Sequence, residues 1–166
     1  MLGDVDRQQS SRLWLSLRPE AARPIATWDA GPDLIVKPPR GTTHVVLDTP
    51  GGLHGWRFKD VVKLADKVIV PLQASIFDMY ATRAFIDELL EQRKGGRPEI
   101  GVVGMRVDGR TIAFDKLSEF VQSLGLPVLG YLRDTQNYVH LAAHGLTLCA
   151  PRVHPWRGWT HLWTEA

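Results

Sequence analysis

"HVVLDTPGGL", residues His44 to Leu53, carries an apolar, β-branched run into Asp48 and then into a turn containing Pro50, Gly51 and Gly52. A short and nearly continuous run of this kind is the pattern of a strand buried on both faces of a parallel sheet. Asp48 falls where that strand would end. A carboxylate at such a point either caps the following helix or holds a magnesium ion, usually through water, beside the phosphates of a nucleotide. The glycines supply a turn whose backbone can approach phosphates closely.

Further runs of the same kind lie C-terminal to it. "KVIVP", "EIGVVGMRV" and "PVLGYL" are short, rich in Val, Ile and Leu, and bounded by Gly, Pro or Asp. Between the four strands lie three stretches of helical period, "WRFKDVVKLA", "SIFDMYATRAFIDELLEQRK" and "TIAFDKLSEFVQSLG". In the last, Phe114, Leu117, Phe120, Val121 and Leu124 share one side, with Thr111 and Gly125 as caps. In the middle one, Ser75 and Asp78 form a capping-box-like start. Strand and helix alternate, so the predicted fold is α/β: a mostly parallel sheet with helices on both faces and any ligand at the carboxyl ends of the strands. The four strands are expected to be neighbours. "DAGPDLIVKPPRG" reads as a surface loop before a central strand.

The 166 residues are ordinary globular material, 44% hydrophobic and 23% charged, and a single domain over 1–166 is the expectation. Twenty Lys and Arg against 18 Asp and Glu leave a net charge of +2, which permits a nucleic-acid partner without implying one. The one cysteine, Cys149, can form no internal disulfide. No apolar run approaches the roughly 18 residues of a membrane span, and "MLGDVDRQQ" lacks the basic and apolar order of a signal peptide. A soluble cytoplasmic protein without a membrane partner is expected.

The first residues add to the case for a site. "LGDVDRQQSS" sets Asp4 and Asp6 two apart at the end of another candidate strand, where extended geometry points both to one face. Two acids on one face near a third suit a metal and its water; the other reading is a solvated turn with Ser10 or Ser11 capping "SRLWLSLR".

Taken in order, these segments resemble the chromosome and plasmid partitioning ATPases, the ParA and MinD group of deviant Walker proteins. "GDVDRQQSSRLWL" is similar to the family's Asp-x-Asp-x-Gln segment, "HVVLDTPGGL" to its Walker B strand and turn, and "LADKVIVPLQASIFDMYATRAFIDEL" to the strand and helix that follow. "VVGMRVDGRT" and "VLGYLRDTQNYVHLAAHGLTL" resemble a later strand, the base-proximal loop and the last core helix, so the likeness spans roughly residues 2 to 150. The resemblance implies a P-loop NTPase-like fold binding ATP and magnesium. Asp6 would orient the attacking water. Asp4 and Asp48 would lie on the magnesium side, and Thr49, Pro50, Gly51 and Gly52 would form the turn that senses the γ-phosphate. Arg106, Arg133 and Asp134 would lie near the base, with Met105 where many relatives carry an adenine-reading Asn. It also implies an ATP-dependent homodimer, nonspecific DNA binding, a stimulating ParB-like partner and association with the nucleoid.

One element of the family pattern is missing. Before the Asp-x-Asp segment a member carries a strand, a K-G-G-x-G-K-T loop and a helix, whereas this sequence opens at Met1, and by the size of a βαβ unit on the order of 30 residues are expected to be lacking. No Gly-Lys pair occurs anywhere in it, and Lys94, Gly95 and Gly96 of "RKGGRPEIG" read as a helix end. The expectation is therefore the Walker B half of a partitioning ATPase, inactive in this form; the alternative is a non-catalytic remnant or protein-interaction module.

Other features have bland readings. "HLAAH" sets His140 and His144 on one helix face without the Glu of a zinc-protease motif. Trp156, Trp159 and Trp163 fall at helical spacing and would cover the core or a partner. Arg83, Arg93, Lys94, Arg97, Arg106 and Arg110 form either a DNA-binding surface or a solvated charged one.

Overall fold

A computed structural model describes residues 1–31, 35–93 and 97–149. The chain is α/β, and among the described residues the three strand pairs, Leu2–Asp4 with Val46–Asp48, Lys67–Gln73 with Glu99–Val107 and Glu99–Val107 with Val128–Arg133, are parallel. Among the described residues, contacts fall into two compact units, one of residues 1–50 with 136–149, the other Gly51–Thr135.

In the first unit, β1 (Leu2–Asp4) pairs with β2 (Val46–Asp48), and among the described residues α1 (Ser10–Ser16) and α5 (Gln136–Ala143) are its helices. β1 also meets the chain at Thr27, where Leu2 N–H donates to Ala26 O and Trp28 N–H to Leu2 O. The core here is Val5, Trp28 and Ala30, with Met1, Ile35, Val45 and Leu47 against it. Gly3 makes that packing possible, because a Cβ there would stand 2.7 Å from Trp28 Cε3 and 3.0 Å from Ala30 Cβ. Trp28 keeps its indole N–H satisfied on Val36 O at 2.7 Å. The Pro- and Gly-rich connector is thus more than a surface loop, since it contributes the fully buried Ala30 and a bridge from Ala30 to Ile35.

The second unit is built on three strands in the order β3 (Lys67–Gln73), β4 (Glu99–Val107) and β5 (Val128–Arg133). Val70, Leu72, Ile100 and Val102 point to one face by strand alternation and are all buried. Three helices cover that face. Phe58 and Val62 of α2 (Gly55–Leu64) and Leu89 of α3 (Ile76–Gln92) pack on Val70 and Ile100. Ile86 of α3, with Leu117 and Val121 of α4 (Ile112–Ser123), packs on Leu72 and Val102. Arg106, with φ of 52°, interrupts the alternation of β4, so that Val107 also joins the buried cluster. A continuous apolar run does not here mean burial on both faces, because Ile69, on the other side of β3, is 63% exposed.

The expected helix side of Phe114, Leu117, Phe120, Val121 and Leu124 is the one that packs. Thr111 caps α4 by accepting from Phe114 N–H at 3.2 Å, and the helix stops before Gly125. Ser75 stands at the start of α3 but its side chain makes no cap bond. One expectation of order fails. The four strands are not consecutive neighbours: β2 pairs with β1, while β3, β4 and β5 form a separate sheet. Lys94, Gly95, Gly96, Trp156, Trp159 and Trp163 lie outside the described residues.

Candidate functional site

Asp4 and Asp48 are register partners at the carboxyl ends of adjacent parallel strands. The ladder continues one residue beyond them, where Val5 N–H donates to Asp48 O at 3.0 Å. The two carboxylates are differently engaged. Asp4 is 2% exposed, and its Oδ1 accepts from Asp6 N–H at 2.9 Å. Its Oδ2 accepts from Ser11 N–H at 2.9 Å and Arg12 N–H at 3.3 Å. These last two are among the N–H groups that a helix leaves without an internal partner in its first turn. Asp4 therefore caps α1 from a distance, in place of Gln9, which precedes the helix and makes no side-chain cap bond. Neither Ser10 nor Ser11 is the cap, because both lie inside α1.

Asp48 is half-buried. Its Oδ2 accepts from the Ser11 hydroxyl at 2.6 Å, a short charge-assisted bond, and no hydrogen bond from the described residues reaches its Oδ1. Ser11 is thus held by one carboxylate through its N–H and holds the other through its O–H.

Asp6 is not on the strand, because β1 ends at Asp4 and the chain turns at once. The premise that extended geometry points Asp4 and Asp6 to one face fails for that reason. Asp6 Oδ1 accepts from Gln8 N–H at 3.0 Å, closing a local turn. The loop is fastened by Gln9, whose amide Nε2 donates to Asp4 O at 3.0 Å and Asp6 O at 2.6 Å. Gln9 itself has φ of 54°, a left-handed conformation that is strained for a residue with a Cβ.

Thr49 and Pro50 are half-buried, while Gly51 and Gly52 form an exposed turn in which Gly52 takes φ of 74°. Gly52 is the residue whose conformation there requires glycine. At the carboxyl end of the second sheet, Arg106 and Asp134 are brought together: Arg106 Nε and Nη2 donate to the two Asp134 carboxylate oxygens at 3.3 and 3.4 Å. Arg133 is the exposed last residue of β5. Nearby in sequence, the side chain of Arg110, aided by its backbone N–H, holds the Asp108 carboxyl down to about 2.

Several basic residues from the possible DNA surface have partners within the protein. Arg83 lies over the Phe120 ring and donates to Ser123 Oγ, Arg97 pairs with Asp66, and Arg110 with Asp108. His144 Nδ1 donates to the His140 carbonyl oxygen, and among the described residues no group of three or more His, Cys, Asp or Glu is placed to hold a metal ion. Among those residues no helix is long and apolar enough to cross a membrane.

Sequence reasoning missed the roles of Ser11 and Gln9. The signal for Ser11 was a hydroxyl near the start of a helix that follows a strand-end acid; the signal for Gln9 was a polar side chain able to reach back across a tight turn. The chain matches no protein-family model and no curated protein.

Proposed function

We propose that the strand-end acids form the magnesium and water side of a nucleotide site of the ParA and MinD partitioning type. The observation that carries this reading is the pairing of Asp4 with Asp48 at the ends of adjacent parallel strands, bridged through Ser11. Parallel α/β sheets bind ligands at this edge. Magnesium fits the residues present: it keeps most of its waters and needs one or two carboxylate oxygens, and Asp48 Oδ1 is such an oxygen. Bound there, the ion would neutralise phosphate charge. Asp4, spent on three backbone N–H groups, fixes Asp48 through Ser11 rather than serving as a ligand itself. Asp6, at the turn, orients the attacking water in this reading.

The phosphates do not fit the residues present. The 166 residues hold no Gly-Lys pair, and in a partitioning ATPase it is the phosphate loop that supplies the backbone N–H groups and lysines that neutralise several negative charges. Three acids alone repel a polyanion. The proposal is therefore an ATPase domain that requires a phosphate loop to act, with the turn that begins at Thr49 and Pro50, directly after Asp48, as its sensing element. ATP-dependent homodimerisation, nonspecific DNA binding, a ParB-like partner and a place at the nucleoid in the cytoplasm belong to the same proposal. The use of the Asp4 carboxylate on three backbone N–H groups favours a second reading, a non-catalytic interaction module that keeps the α/β scaffold.

The test is nucleotide titration by calorimetry on the chain extended before Met1 with a strand, a K-G-G-x-G-K-T loop and a helix taken from a partitioning ATPase. Magnesium-dependent ATP binding that Asp48→Asn reduces at least tenfold is expected. Binding indifferent to Asp48 would count against the site.

A further inference from the structure

We draw no further inference here: the strongest candidate, the exposed apolar patch of Ile76, Phe77 and Tyr80 on the first turns of α3, carries nothing because nothing in the structure shows what covers it.

Discussion

Replacing Asp4 by alanine separates the structural work of this carboxylate from any chemistry. Its two oxygens accept from the N–H groups of Asp6, Ser11 and Arg12 at 2.9, 2.9 and 3.3 Å, and the residue is 2% exposed. A hydrogen bond to a charged group contributes about 1.5–3 kcal/mol when fully enclosed. The third contact is long and Arg12 is exposed, so a mean of about 1 kcal/mol for each stranded donor is the better figure, giving about 3 kcal/mol in total. That is a large share of the ~5–15 kcal/mol that holds a typical domain together. Asp4→Asn should recover only part of the loss, because its NH2 must face at least one of the same N–H donors. Asp6→Ala removes a single bond, from Gln8 N–H, and should cost about 1 kcal/mol or less. Urea unfolding followed by far-UV circular dichroism, with m-values compared to detect changes in the unfolded state, reads all three. An Asp4→Ala protein no less stable than Asp6→Ala would refute the assignment of Asp4 as the remote cap of α1.

Three further outcomes follow from the loops. Gln9→Ala removes both amide bonds and keeps the left-handed strain, whereas Gln9→Gly removes the bonds and the strain together, so the alanine variant should be the less stable of the two by about 1 kcal/mol in the same unfolding assay. The Asp108 carboxyl should titrate by NMR near 2 rather than 3.8; its depressed value stabilises the fold above about 3.8, and that contribution disappears as pH falls through about 2. Arg110→Ala should raise the midpoint but leave it below the ordinary value, since the backbone N–H of residue 110 still donates to Asp108.

The elements that were legible from sequence are those whose apolar spacing is tied to burial. "EIGVVGMRV" is β4 from end to end, and the side of α4 that carries Leu117 and Val121 is the side that packs. Strand order was less legible, because the apolar run of "HVVLD" is compatible with any parallel neighbour and only the fold selects β1. Ile69 shows the same limit, as its composition matches that of Val70 while its face is exposed. In the candidate site, the strand end at Asp48 was readable from Asp48 and the turn glycines after it. The geometry of Asp6 was not, since the spacing of two assumes a strand that in fact stops at Asp4. The Asp4, Ser11 and Asp48 linkage depends on a backbone N–H and a hydroxyl 37 residues away from the second acid, which no local pattern encodes.

The proposed ATPase is tested most directly by phosphate release, measured on the purified 166-residue chain, on the chain extended with the partitioning-type phosphate loop, and on that extended chain carrying Asp6→Ala. Losing several transition-state contacts at about 3 kcal/mol each should hold the 166-residue chain at the uncatalysed rate. The extended chain should show magnesium-dependent turnover that Asp6→Ala abolishes. Turnover by the 166-residue chain itself, lost on Asp6→Ala, would mean that other groups cradle the phosphates, and an extended chain that binds ATP but never hydrolyses it would contradict the assignment of Asp6.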